Sequence, residues 1–499
     1  MTVAAQPVLE VHDVVKTYGG VHALKSVSIS LLAGEVHCLA GENGSGKSTL
    51  IKIISGVEKP DSGTITIGGR QRSHLTPNEA IRSGVQVIYQ DFSLFPNLTA
   101  AENIAMLSEL AERRNFSSRK RIFAVAERIV TELGLNLDLS AEVESLSVAD
   151  RQLVAICRAL VGDAKVLIMD EPTTALTHTE VDRLFTIVRR LQERGVAVMF
   201  VSHKLNEVLQ IAQRLTVLRN GELVETGPAA DYTARSVAKA MTGRDVSEER
   251  LVAPLDPDAQ VLLEVKNLTR SGDFRNINLS LRAGEILGIT GLLGSGRSEI
   301  AEAIFGIRPA DSGEVVVAGQ THKINSIRDA VKAGIGYVPE DRLTQGLFLE
   351  ASIADNMVAS SLDSYRAKSG LLNTKRIQQS IADLFKRLRI QAPSVTAMVN
   401  SLSGGNAQRV VLAKWLDRKP TILVLNGPTV GVDIGSKEEI LGILREQAAT
   451  GIGIIVISDD IPELVSSCHR VLIVYRGRIV SELIGDDIHA DGIQKGLAV

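Results

Sequence analysis

The 499-residue chain is predicted to be an α/β protein built twice, each copy a mostly parallel sheet with helices plus an inserted helical subdomain. Three observations carry that expectation. Short apolar runs, such as Val36 to Ala40, Val166 to Met169 and the run ending at Val201, alternate with helix-period stretches, as strands buried on both faces do. The chain also repeats itself. Ala33-Gly34-Glu35-Val36 returns as Ala283-Gly284-Glu285-Ile286, and Asp61-Ser62-Gly63 as Asp311-Ser312-Gly313, both 250 residues on, while Arg214 to Val224 returns as Arg470 to Val480, 256 on. Finally, the stretches between Gln90 and Ser145 and between Glu340 and Ser401 are mainly helical in pattern. Ala124 to Leu133 and Ile377 to Leu388 are the clearest amphipathic helices there.

The copies are expected at 1–243 and 261–499, joined by a charged linker at 244–260 that holds Pro254 and Pro257. Val261 to Leu268 then restarts a strand resembling Val8 to Val15. A net charge of -3 and 3% aromatic residues argue against nucleic acid as a partner. The three cysteines, at 38, 157 and 468, lie far apart among apolar neighbours, so they read as buried thiols in a reducing compartment. Neither a secretory leader nor a run of about 18 apolar residues is visible.

The first copy carries a phosphate-binding pattern. Gly41-Glu42-Asn43-Gly44-Ser45-Gly46-Lys47-Ser48-Thr49 follows a strand-like run and opens into a helical one, the G-x-x-x-x-G-K-[ST] loop in its required context. The glycines let successive amides turn inward, and the helix N-terminus adds its positive end. Lys47 would reach terminal phosphates and Ser48 would sit on Mg²⁺. Val166-Leu167-Ile168-Met169-Asp170-Glu171 ends a buried strand in two acids. Asp170 is placed to hold Mg²⁺ through water, and Glu171 to orient or deprotonate an attacking water. His203, after Val201-Ser202, fits either a γ-phosphate contact or a structural role. Tyr18 fits adenine stacking or half-buried packing equally well, and Gln90 gains meaning only from its place in the series.

These parts, in this order, resemble the ATP-binding cassette family of transport ATPases over essentially the whole chain. The resemblance implies ATP and Mg²⁺ as cofactors, Gln90 as the Gln loop acting in catalysis and on the metal, and His203 as the switch histidine. Leu402-Ser403-Gly404-Gly405-Asn406 in the second copy is similar to the family's LSGGQ signature. In that family two cassettes pair head to tail, so Ser403, Gly404, Gly405 and Asn406 are expected to complete the ATP site of the loop at 41–49. Pairing within one chain is expected.

The second copy departs from the family pattern in a correlated way. Its loop, Gly291-Leu292-Leu293-Gly294-Ser295-Gly296-Arg297-Ser298, has Arg for Lys. Asn426-Gly427 replaces the acidic pair, Glu340 stands at the Gln position and Asp459 at the His position. The first copy's signature, Leu146-Ser147-Val148-Ala149-Asp150, is altered too. One hydrolytic and one degenerate site per chain follow, the latter either binding nucleotide weakly or serving structure alone.

Tandem cassettes with a Gly-Arg-Ser second loop look like the sugar-importer branch, whose members for ribose, galactose and xylose work with integral-membrane permease subunits, expected as a dimer, and an extracytoplasmic sugar-binding protein. The implied location is peripheral, at the cytoplasmic face of the inner membrane. Phe92, Leu94 and Phe95 fit either permease contact or a local core. A related polyol is within the expected cargo, and nucleosides or a furanosyl autoinducer are alternative cargoes. A soluble ribosome- or repair-acting tandem ATPase and a nucleotide sensor are the readings from other classes.

Overall fold

The computed structural model describes residues 7–111, 118–173, 176, 178–202, 204–243, 252–256, 258–292 and 294–497. It divides into two compact units, Met1–Val246 and Ser247–Val499. Most of the expected linker, 244–251 and 257, lies outside the described residues.

The first unit is organised on a six-stranded sheet ordered Glu222–Pro228, Arg214–Arg219, Val36–Ala40, Ala197–Val201, Val166–Asp170, Val85–Ile88. The last five are parallel and Glu222–Pro228 is an antiparallel edge. Val36–Ala40 and Ala197–Val201 are buried throughout, which explains their apolar character, broken only by His37, whose ring bonds Thr216 Oγ1 at 2.8 Å. Burial of each large aliphatic side chain contributes about 1.5–3 kcal/mol.

The structure adds a second sheet that the "mostly parallel" expectation did not separate. Val21–Leu32, Pro7–Tyr18, Ser62–Ile67 and Arg70–Arg72 form a four-stranded antiparallel sheet. Its leading pair closes through Gly19-Gly20, both at positive φ, a two-residue hairpin that only antiparallel strands can use. Helix Lys47–Ile54 buries Leu50, Ile51, Ile53 and Ile54 in a core shared with Leu9, Val11 and Leu39.

Two of the repeated sequence segments meet in space. In the first unit Glu35 accepts from Leu32 N and pairs with Arg214 Nε at 2.9 Å. In the second, Glu285 accepts from Arg282 N and pairs with Arg470 Nε at 2.6 Å. The Gly-Glu turn thus fixes the entry to each loop-bearing strand, and its partner opens the neighbouring strand.

The helical part of the first unit packs Ala100–Ala111 against both Arg119–Glu132 and Val148–Val161. The second unit repeats the plan, with a six-stranded sheet ordered Ile335–Val338, Ile422–Asn426, Gly453–Ile457, Ile286–Gly291, Arg470–Tyr475, Arg478–Ile484 and an antiparallel four-stranded one. Its first subdomain helix is shortened to Ile353–Val358, followed by the turn Leu362–Tyr365. That turn is pinned by Asp417, which accepts from the Ser361 and Ser380 hydroxyls and from Tyr365 Oη. All three cysteines are buried, and none forms a disulfide.

Candidate functional site

In a parallel sheet the loops after neighbouring strands gather at one edge, where ligands bind. Four neighbouring strands of the first unit deliver the candidate residues to that edge. Val36–Ala40 leads into Gly41–Lys47, Ala197–Val201 into Ser202, Val166–Asp170 into Glu171, and Val85–Ile88 into Tyr89 and Gln90. His203 lies outside the described residues.

The loop at 41–49 is shaped for an anion. Gly46 sits at φ 108°, and a Cβ there would stand 2.5 Å from Ala23 O, so glycine is required on both counts. Gly46 is also the N-cap of helix Lys47–Ile54, and no side chain caps that end, so the first-turn amides keep their donors for a ligand. Asn43, Gly44 and Ser48 are exposed on the rim, whereas Ser45 is buried and Thr49 half-buried. Lys47 is 6% exposed, its ammonium folded over the loop onto Gly41 O at 2.6 Å and Glu42 O at 2.9 Å.

The acids show what the site lacks in charge. Burial pushes the Asp170 carboxyl above its ordinary range, Glu171 next to it pushes the same way, and Lys47 pulls back. Two adjacent carboxylates at a half-buried edge call for a cation. Among the described residues no group of three or more His, Cys, Asp or Glu could hold a metal alone. That donor set suits Mg²⁺, which takes one or two protein oxygens and fills its shell with water and phosphate. Glu171 holds φ 49°, unusual for a side-chain-bearing residue, and its N–H donates to Val201 O at 2.9 Å. Left-handed backbone there costs about 1–2 kcal/mol and turns the chain off the strand end.

Tyr18, at the end of its strand, is 42% exposed, with Lys16 Nζ 5.1 Å from its ring centroid. The ring lies at the surface rather than in the core. Past exposed Gln90, Phe92 and Ser93 both take positive φ, and Arg158 grips their carbonyls at 2.9 and 2.8 Å. Phe95 is 48% exposed, and Phe92 and Leu94 are half-buried.

Each signature begins a helix. Ser403 caps Gly404–Leu416, and Asn406 bridges back to it through Nδ2 at 3.0 Å. Ser147 caps Val148–Val161 but gives its hydroxyl proton to Asp150 Oδ2 at 2.8 Å, which puts a carboxylate where Asn406 is neutral.

The second unit's loop keeps the backbone and changes the chemistry. Arg297 reproduces one lysine contact, Nη1 donating to Gly291 O at 2.7 Å, and turns Nη2 toward Asp459 Oδ2 at 3.3 Å. Ser298 Oγ donates to Asn426 Oδ1 at 3.4 Å. Gly427 retains the left-handed backbone of Glu171, at φ 60°, and the same N–H bond to the next strand, Ile457 O at 2.8 Å. A Cβ on it would meet Val430 Cγ2 at 2.8 Å and Glu340 Cγ at 3.2 Å.

One pair escaped sequence reasoning. Glu207 accepts a short hydrogen bond from Thr173, beyond the acidic pair, and Lys204 bridges to Glu207 at 3.2 Å and Thr173 O at 3.0 Å. In the second unit Glu463 Oε2 accepts from both Thr429 at 2.9 Å and Ser458 at 2.8 Å. Each glutamate thus ties the loop after its unit's Val166–Asp170 or Ile422–Asn426 strand to the segment after the next strand. The signal was available, because Thr173, Ser202 and Glu207 recur as Thr429, Ser458 and Glu463 at the 256-residue offset already seen.

Comparison with known proteins agrees with this geometry. The family model described as ABC transporter matches residues 24–174 and 274–430. The ribose import ATP-binding protein RbsA of Rhodococcus jostii (strain RHA1) is 42% identical over 479 residues, 96% of this chain and 95% of that protein. RbsA 1 of Rubrobacter xylanophilus is 43% identical over 493 residues, covering 99% and 98%. Among solved structures, an archaeal ribosome recycling factor in complex with a ribosomal stalk protein superposes with a TM-score of 0.61 at 20% identity, over 97% of this chain and 92% of that one. That last likeness concerns the fold alone.

Proposed function

The chain belongs to the ABC transporter family, and from that premise we propose that it is the ATP-hydrolysing subunit of an importer for ribose or a related sugar. The observation that carries this reading is identity above 40% to ribose import ATP-binding proteins across nearly the full length of both chains.

Hydrolysis is assigned to the first cassette. The amides of loop 41–49 and the uncapped helix behind it hold the phosphates, and Lys47 exchanges its two loop carbonyls for phosphate oxygens. Ser48, Asp170 and Gln90 would hold Mg²⁺, which supplies charge neutralisation when bound. Glu171 orients and deprotonates the attacking water, His203 contacts the γ-phosphate, and Tyr18 stacks on adenine. Ser403, Asn406 and the amides of Gly404 and Gly405 offer a second helix N-terminus, the part that the family's head-to-tail pairing gives to this ATP. In the second cassette Asn426 and Gly427 cannot supply the missing carboxylates, so that site does not hydrolyse.

No helix among the described residues is long and apolar enough to cross a membrane. The proposal takes the membrane path from permease subunits and the sugar from an extracytoplasmic binding protein, with this chain peripheral at the cytoplasmic face. Co-reconstitution of the chain with its permease and binding protein in vesicles tests the assignment. ATP hydrolysis should rise several-fold with ribose or a related sugar. Hydrolysis unaffected by any sugar would refute it.

A further inference from the structure

The second cassette's loop keeps a phosphate cradle but has lost the means to hold a divalent metal. Gly294 and Gly296 take φ 76° and 98°, against 81° and 108° for Gly44 and Gly46 in the first loop. Helix Arg297–Phe305 likewise starts with no side-chain cap. Backbone amides are therefore offered to an anion in both loops. The metal pole differs. Where Asp170 carries a carboxylate, Asn426 is a neutral amide that accepts from Ser298 Oγ at 3.4 Å, so the hydroxyl expected on a metal points into the protein. Tyr337 also hydrogen-bonds Asn426, which favours the ionised phenol, but burial outweighs that bond and pushes the phenol up to about 12, so it keeps its proton. The first unit has Val87 at that strand position, opposite Ile168. Glu340 and Val430 fill the space over Gly427 that a base would need. These residues do not fit Mg²⁺.

The terminal-phosphate side is closed by charge. Arg297 spans from Gly291 O to Asp459 Oδ2, whose side chain is 74% exposed. A third phosphate would have to break this pair and approach a carboxylate. A diphosphate would use the cradle and the remaining guanidinium N–H donors of Arg297, and leave the pair in place. We propose that the second loop is a metal-independent site for a nucleoside diphosphate, which discriminates against the triphosphate through the Arg297–Asp459 pair. This deepens the one-hydrolytic-site reading above and rests on it.

The test is equilibrium binding of labelled ADP and ATP to the full chain in EDTA and in Mg²⁺, with Lys47→Ala used to silence the first loop. Lys47→Ala should bind about one ADP per chain equally well in EDTA and Mg²⁺. ATP should bind it about ten-fold more weakly, as expected for one like charge at a largely solvated site. Asp459→Asn in that background should narrow the ratio, and Arg297→Ala should remove the ADP. Loss of ADP from Lys47→Ala in EDTA, or equal affinity for ADP and ATP, overturns the inference. So does ADP binding that survives Arg297→Ala. A wild-type chain that hydrolyses ATP while Lys47→Ala binds no ADP defeats the inference alone. A wild-type chain that neither binds nor hydrolyses ATP defeats the functional reading beneath it.

Discussion

Glu463 gives the second cassette a pH-dependent stability that can be worked out from its surroundings. It is 1% exposed, and burial pushes its carboxyl up to about 7 from an ordinary 4.5, aided by Asp460 and opposed by Lys437 and by the Ser458 and Thr429 hydroxyls. Between those two pH values the native state keeps a proton that the unfolded chain has released. Rising pH therefore favours unfolding, and the contribution is fully present below about pH 4.5 and lost by about pH 7. At about 1.4 kcal/mol per pH unit the loss amounts to about 3 kcal/mol. Glu463→Gln cannot ionise, yet it keeps an oxygen to accept both hydroxyls that now meet at Oε2. The chain's single tryptophan, Trp415, lies in this unit, 9% exposed and edge-on to Phe305 at 5.4 Å, so its fluorescence reports the second cassette's unfolding. With a denaturant slope of about 3 kcal/mol per molar urea, the wild-type midpoint should fall by about 1 M relative to the variant between pH 5 and 7.5. Parallel midpoints across that range would refute the reasoning.

Three further outcomes follow from the site. Lys47→Ala should lower ATP turnover at least about a hundred-fold, and Arg297→Ala less than about five-fold, in steady-state assays; equal losses would count against the asymmetric reading. Glu207→Gln should slow turnover about ten-fold or more with little change in KM, because Thr173 and Lys204 lose the carboxylate that joins their loops. Gly427→Glu should destabilise the second cassette by about 1–3 kcal/mol, read by Trp415 fluorescence, since the residue holds φ 60° against Val430 and Glu340. It should add no ATPase activity.

Much of this was legible in the residues. Val36–Ala40 and the loop after it were readable because motif, strand and helix are contiguous, and the copies were readable because fixed offsets preserve them. Helices Arg119–Glu132 and Thr374–Arg387 were legible through the amphipathic stretches Ala124 to Leu133 and Ile377 to Leu388, and each begins earlier than its stretch. The antiparallel sheet was less visible, because its strands alternate burial only loosely and its pairing is non-local, Leu9 lying opposite Ile67. The edge hairpin was signalled by Asn220-Gly221, both at positive φ, within a segment noticed only as a repeat. The Arg297–Asp459 and Thr429–Glu463 contacts join positions far apart in sequence, and no local pattern encodes them.

We propose that Glu171 is the carboxylate behind the chain's ATP hydrolysis. Single-turnover and steady-state ATP hydrolysis by Glu171→Gln measures it most directly. A loss of about a hundred-fold or more in both is expected, with ATP binding retained. Hydrolysis persisting near half the wild-type rate would mean that the second cassette turns over ATP, and would contradict the proposal.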